Sequence, residues 1–214
     1  MSGASQNTYS PNPLNDILAS VPLGERTQAI RLVTQSLYKN SLFLTCKNLL
    51  GYSDMTIGTH SKMVNALEAD SRRKLLIMPR GTFKSTIGSV GFPIWSLTNN
   101  VNLRILLDSE LYTNSKNFLR VIKGHMNSAP FTEVFGNWVG PVWNESEIVI
   151  APRTKILKEA SITCSGIGAQ KTHCRFDVFD SGGKLIARRE PVVDGGSHVA
   201  ALGQLDGQRN VAFL

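Results

Sequence analysis

The sequence predicts an α/β domain with a mainly parallel sheet, preceded by helices. Two short apolar runs, 74–78 and 103–107, are each followed by a longer pattern with helical spacing. Strands buried in a parallel sheet are continuous apolar runs, and strand–helix–strand–helix order is typical of such sheets. A chain of 214 residues is long enough for one domain with a sizeable core. Ligands of such domains bind at the carboxyl ends of the strands.

Composition limits the class of protein. Hydrophobic residues make up 42% and charged residues 18%, which excludes a wholly disordered chain. The net charge of +7 favours a polyanionic partner, although many basic proteins bind no nucleic acid. Three cysteines without Cys-x-x-Cys spacing indicate neither a disulfide framework nor a zinc site. No apolar run approaches the roughly 20 residues that span a bilayer, and we expect no membrane association.

The first 70 residues divide into two regions. Residues 1–24 are rich in Ser, Asn, Pro and Gly and are predicted to be a flexible leader. Residues 25–70 are predicted to be helical, with two apolar stripes that we expect to face the core. The first stripe comprises Ile30, Val33 and Leu37, and the second comprises His60, Met63, Val64 and Leu67.

The predicted α/β core covers residues 71–180. After the second strand, one helix face carries Leu111, Ser115, Phe118, Leu119, Ile122 and Met126. Three further strands are predicted at 147–151, 161–165 and 176–179. Residues 181–214 contain six glycines and no sustained period of 2 or 3.6, so they are predicted to be an irregular tail.

The loop after the first predicted strand carries phosphate-binding chemistry. Lys84, Ser85 and Thr86 stand at the start of a predicted helix, where unpaired amides and the helix dipole favour an anion. Lys84 would reach the β- and γ-phosphates of a nucleotide, and the Ser85 hydroxyl would bind Mg²⁺. The usual G-x-x-x-x-G-K-[ST] pattern would place glycines where Met78 and Phe83 stand, so the match is partial.

The segment 74–86, Lys-Leu-Leu-Ile-Met-Pro-Arg-Gly-Thr-Phe-Lys-Ser-Thr, resembles the variant Walker A segment of phage terminase large subunits. The resemblance extends over roughly residues 40–180. Its other parts are 59–63 before the strand, 105–110 at the second strand, 131–136, Trp143 and 163–168. It implies a P-loop NTPase-like fold with three layers, in which ATP and Mg²⁺ are the cofactors.

The resemblance also assigns roles to individual residues. The nucleotide-binding loop consists of Pro79, Arg80, Gly81, Thr82, Phe83, Lys84, Ser85 and Thr86. Arg80 is a candidate to stabilise charge on the γ-phosphate, or else a solvated loop residue. His60 lies near the nucleotide base or is a packed core residue. Glu110 is catalytic or caps the helix that follows it.

A Walker B strand is expected at Phe176–Phe179, ending in acidic residues. Asp180 is the candidate carboxylate on the metal side. The glutamate that the family carries next to it is missing, because Ser181 and Gly182 follow, and Glu190 is isolated in a glycine-rich stretch.

The resemblance implies an ATPase that couples hydrolysis to packaging of double-stranded DNA into a viral capsid. Its implied partners are DNA, a portal protein and a small terminase subunit, and its implied assembly is a ring of identical subunits. Its location would be the host cytoplasm and, transiently, the procapsid portal. We expect no nuclease domain in this chain. The alternatives are another P-loop DNA-dependent ATPase and a truncated, inactive terminase relic.

Overall fold

The chain folds as a mixed α/β domain with an N-terminal helical region. The computed structural model describes residues 21–70, 73–76, 78–166, 176–179, 185–189, 200–204 and 210–213. The predicted leader lies outside these ranges except for its last four residues. No helix in these ranges has the length and apolar content to cross a bilayer.

The N-terminal region consists of a 3₁₀ turn and three helices. The turn is Leu23–Glu25, α1 is Arg26–Asn40, α2 is Leu42–Leu44 with a π-helical continuation over Thr45–Leu49, and α3 is Ile57–Glu68. The Ser41 hydroxyl caps α2 by accepting a hydrogen bond from the Leu44 amide at 3.2 Å. The Glu68 carboxylate accepts from the Leu42 amide at 2.6 Å, which ties α3 to α2.

The two predicted apolar stripes differ in burial. All four residues of the α3 stripe are buried, which confirms that prediction. The α1 stripe does not face the core as predicted, since Ile30 and Leu37 are 47% and 51% exposed. Polar contacts on another face hold α1 instead: Arg31 and Gln35 both donate to the carbonyl of Val134.

The strands form one mixed sheet and one separate hairpin. Their bounds are β1 Arg73–Leu76, β2 Ile105–Ser109, β3 Val139–Trp143, β4 Glu147–Ile150, β5 Ile162–Gly166, β6 Phe176–Phe179, β7 Leu185–Arg189, β8 Ala200–Gln204 and β9 Asn210–Phe213. The order in the mixed sheet is β1-β9-β8-β2-β5-β4-β3, and β6 pairs with β7. Three of these strands, β7, β8 and β9, lie in the stretch for which the sequence predicts no element.

The mixed α/β class is confirmed, but a mainly parallel sheet is not. Only the β1–β9 and β2–β5 pairs of the mixed sheet are parallel among the described strands. The four neighbours β2-β5-β4-β3 are joined by one parallel and two antiparallel pairings. The β3–β4 pair is antiparallel because only three residues separate the two strands, which suits a hairpin and not a helical crossover.

Three helices complete the described core. A π-helical segment, Thr86–Gly91, continues into α4 (Phe92–Asn99), and α5 (Tyr112–Met126) and α6 (Ala129–Phe135) follow β2. The predicted face of α5 is buried at Ser115, Leu119, Ile122 and Met126. The Ser115 hydroxyl donates to the carbonyl of Ser165 in β5, which fixes α5 against the sheet.

The contact between α5 and β5 depends on a residue without a side chain. A Cβ atom at Gly166 would lie 2.5 Å from the backbone nitrogen of Tyr112, at the start of α5. We predict that Gly166→Ala lowers the free energy of unfolding by about 1–3 kcal/mol, because the backbone of α5 must move. Urea unfolding monitored by circular dichroism measures this change.

A glycine inside α5 provides the control. A Cβ at Gly124 meets no atom within 4 Å, and alanine is a better helix former than glycine by about 0.5–1 kcal/mol. Gly124→Ala should therefore leave the protein as stable or slightly more stable. Equal stability of the two variants would contradict the proposed packing at Gly166.

Candidate phosphate-binding site

The segment from β1 to the following helix has an unusual backbone. Gly81 has a φ of 80° and Phe83 has a φ of 56°, and Phe83 is the one residue other than glycine with positive φ in the described ranges. This left-handed region is rarely adopted by bulky residues. Phe83 stands where the usual phosphate-loop pattern has glycine, so the backbone here keeps a conformation that glycine would adopt readily.

Hydrogen bonds fix both ends of the loop. The Thr82 hydroxyl donates to the Pro79 carbonyl at 2.8 Å, which closes the turn after β1. The Ile87 amide donates to the Phe83 carbonyl at 2.8 Å and begins the helical hydrogen-bond pattern. The amides of the first helical turn have no acceptor within the helix, as at any helix start, and they point toward the loop. Alternating left-handed and right-handed residues of this kind form anion-binding concavities.

The loop surrounds an open concavity of about 300 Å³, which residues 80–86 line. Arg80 and Gly81 are exposed at its mouth, and Lys84 and Ser85 are half-buried. The Lys84 ammonium lies 3.3 Å from the carbonyl oxygen of Met78, at the end of the segment leaving β1. Of the predicted loop residues, all but Pro79 therefore line one space.

His60 and Tyr52 pack behind the loop. The ring of Phe83 contacts His60 edge-on, with centroids 5.5 Å apart, and Tyr52 at 6.5 Å. His60 is buried, and its Nδ1 lies 3.0 Å from the amide nitrogen of Thr56, at the start of α3. The imidazole therefore supports the loop from the protein interior, which agrees with the packed role that the sequence left open for His60.

Tyr52 is held by a residue far away in the sequence. Its hydroxyl lies 2.7 Å from Nε2 of His125, in the last turn of α5, and the two rings are 5.3 Å apart. Burial raises the pKa of Tyr52 to about 12, with a smaller contribution from Cys46, and burial lowers the pKa of His125. Both shifts favour the neutral forms, so the hydrogen bond joins a neutral hydroxyl and a neutral imidazole.

The carboxyl ends of four strands lie at one edge of the mixed sheet. The backbone pairings place Leu76, Phe213, Ala200, Ser109 and Gly166 in one row, where β1, β9, β2 and β5 end and β8 begins. Glu110 follows β2 directly, so it lies at the same edge as the loop. Three strand spacings separate β1 from β2, or about 14 Å at the usual separation of paired strands. Glu110 is thus at the expected edge but lateral to the loop.

Asp108 is an acidic residue that the sequence reasoning missed. It is buried in β2, and its Oδ1 atom has no hydrogen-bond partner among the described residues. An unsatisfied buried carboxylate oxygen is costly and is uncommon in native structures. The signal in the sequence was an aspartate directly after the apolar run Ile105–Leu107.

The expected Walker B strand is not part of the mixed sheet. Phe176–Phe179 forms β6, as predicted, but it pairs with β7 in the separate hairpin. Asp180 and Glu190 lie outside the described residues. Among the described strands, β9 is the neighbour of β1 in the mixed sheet, and β6 pairs only with β7.

The loop suits a triphosphate with Mg²⁺. In proteins Mg²⁺ usually keeps several waters and takes one or two protein ligands together with phosphate oxygens. Within the described ranges no group of three or more His, Cys, Asp or Glu side chains could hold a metal ion. The Ser85 hydroxyl beside Lys84 suffices as a single protein ligand in such an arrangement. The residues present fit a metal bound through the nucleotide.

The chain matches no protein-family model, no curated protein and no solved structure. The site is therefore interpreted from its own residues and from the resemblance of its loop.

The lowered pKa of His125 predicts how stability depends on pH. A pKa below the unfolded value of about 6.5 means that the unfolded chain binds the proton first. The contribution of His125 is present above that value and is lost as the pH falls toward the folded pKa. We predict that the wild type loses more stability between about pH 7.5 and 5.5 than His125→Gln, which cannot titrate. Urea midpoints at both pH values test this, and an equal loss would contradict it.

Proposed function

We propose that this chain is a nucleotide-binding P-loop domain that binds Mg²⁺-ATP through residues 79–86. The observation that supports this most directly is the loop conformation. A strand leads into a turn with positive φ at Gly81 and Phe83, and a helix starts at the concavity that the turn surrounds. A backbone with such turns before a helix N-terminus is typical of anion-binding concavities.

Each loop residue has a role in this proposal. The Lys84 ammonium exchanges its contact with the Met78 carbonyl for the β- and γ-phosphates, and the Ser85 hydroxyl binds Mg²⁺. Arg80, which is exposed in the loop, would offset charge on the γ-phosphate. Bound Mg²⁺ supplies charge neutralisation between the phosphates.

The proposed biological role is that of the ATPase part of a DNA-packaging motor of the terminase type. The resemblance of 74–86 to the terminase Walker A segment supports this role. The net charge of +7 agrees with binding of DNA through its phosphates, which is independent of sequence and depends steeply on salt. A portal protein, a small terminase subunit and a ring of identical subunits are proposed as partners on the same resemblance.

A second candidate function is nucleotide binding without efficient turnover. The observation that favours it is the position of β6, which pairs with β7 and does not lie beside β1. Hydrolysis requires a carboxylate that orients the attacking water, and Glu110 lies lateral to the loop. Such a chain would be a truncated, inactive terminase relic.

The proposal predicts that nucleotide binding depends on Lys84. Lys84→Ala removes a charged contact to phosphate worth roughly 1.5–3 kcal/mol, so affinity for Mg²⁺-ATP should fall about tenfold or more. Titration calorimetry measures the change. Lys155→Ala is the matched control, because Lys155 is exposed in the loop after β4 and should not affect binding. Equal affinity of the wild type and Lys84→Ala would remove the P-loop assignment.

Hydrolysis distinguishes the two candidates. We predict that the isolated chain binds Mg²⁺-ATP but turns over far more slowly than the roughly 1–10³ s⁻¹ common among enzymes. A phosphate-release assay measures the rate. If Glu110 orients the water in spite of its lateral position, Glu110→Gln should abolish the turnover and leave ATP affinity intact. Fast hydrolysis that persists in Glu110→Gln would show that another carboxylate, such as Asp108 or Glu190, orients the water.

A further inference from the structure

We propose that Tyr52 and His60 are positioning residues that hold Phe83 in its left-handed conformation and so keep the phosphate loop in its anion-binding shape. This inference rests on the proposed function, since it explains how a loop without the second glycine of the usual pattern binds phosphate. Tyr52 and His60 both lie outside the loop, and His125 contacts Tyr52 from behind.

The conformation of Phe83 needs an explanation. An aromatic residue with a φ of 56° is in a sparsely populated region, and such residues persist where the surrounding structure holds them. Phe83 directly precedes Lys84, so its backbone sets the direction in which the first helical turn and the lysine point. In the right-handed conformation, Phe83 would extend the helix backward by one residue. The loop would then lose its concavity.

Two rings act on the side chain of Phe83 from different elements. His60 comes from α3 and meets the Phe83 ring at an interplanar angle of 89°, while Tyr52 comes from the segment before α3 and meets it at 60°. Edge-to-face pairs with these separations are favourable, and two of them restrict where the Phe83 ring can lie. Because the ring is fixed from two sides, the backbone of Phe83 is fixed as well.

Both supporting rings are themselves anchored. The Tyr52 hydroxyl is hydrogen-bonded to His125 at the end of α5, and the Tyr52 amide donates to the carbonyl of Cys46 at 3.1 Å. His60 is held by Thr56, as described above. The support of the loop therefore extends from the phosphate-binding face to α5, which also packs on β2 and β5.

A glycine at position 83 separates the role of the ring from the role of the backbone. Glycine adopts positive φ without support, whereas alanine does not and also lacks the ring. We expect Phe83→Gly to bind Mg²⁺-ATP about tenfold more tightly than Phe83→Ala, since strain of this kind corresponds to about one decade in affinity. Both substitutions are in a half-exposed loop residue, so folding should tolerate them.

Tyr52 is tested by a double-mutant cycle. Tyr52→Ala should weaken binding about tenfold in the wild-type background and less than twofold in the Phe83→Gly background, where support is not needed. Tyr52→Phe keeps the ring contact and should recover most of the affinity that Tyr52→Ala loses. Phe135→Ala, which removes a ring from the separate cluster with Phe131 and Trp138, controls for general destabilisation and should not change affinity.

A readout without nucleotide separates this inference from the proposed function. The three-bond coupling between the amide and α protons of residue 83 depends on φ and is measured by NMR on the full chain. It should show the left-handed value in the wild type and shift toward the right-handed value in Tyr52→Ala. An unchanged coupling in Tyr52→Ala overturns the positioning role even if ATP binds. Failure of the wild type to bind ATP, with the coupling shifted, overturns the proposed function and leaves the positioning role supported.

Discussion

The site depends on the reversal of the chain between β1 and the helix that begins at Lys84. In eight residues the backbone must leave a strand, enclose a space and start a helix, and positive φ at Gly81 and Phe83 makes this possible. Glycine meets the requirement without cost at the first position. At the second, a phenylalanine meets it because aromatic rings from outside the loop contact its side chain. The phosphate-binding geometry is therefore a property of the packed domain as well as of the loop sequence.

Local patterns were sufficient to predict most of the elements before Gly166. The strands β1, β2, β4 and β5 and the helices α3 and α5 were predicted from local patterns. The predicted faces of α3 and α5 are largely buried, whereas in β1 Lys74 is buried and Leu75 is exposed. Residues 79–86 were predicted as a unit for a similar reason. The residues of a loop between a strand and a helix are consecutive in the sequence. They therefore lie close together for any order of strands in the sheet.

The features that could not be predicted depend on contacts between distant residues. Strand direction is one, since β3 and β4 pair as a hairpin although their apolar pattern does not specify direction. The α1 stripe is another. Helical spacing of Ile30 and Leu37 predicts an apolar face, but the contacts that place α1 are polar ones to Val134. The pairing of Tyr52 with His125 joins residues 73 positions apart, and no local pattern indicates it.

In the proposed function, the groups assigned to phosphate lie apart from those that could orient water. The loop brings a lysine, a hydroxyl and first-turn amides to one concavity, and all of them come from one continuous segment. Asp108 in β2 and Glu110 directly after it lie three strand positions away from β1 in the mixed sheet. On this proposal, binding depends on the shape of one loop, whereas hydrolysis depends on a group that reaches the attacking water from another element. Substitutions at Phe83 and its supporting rings are therefore expected to affect binding, and the strand order of the mixed sheet is expected to limit which carboxylates reach the γ-phosphate.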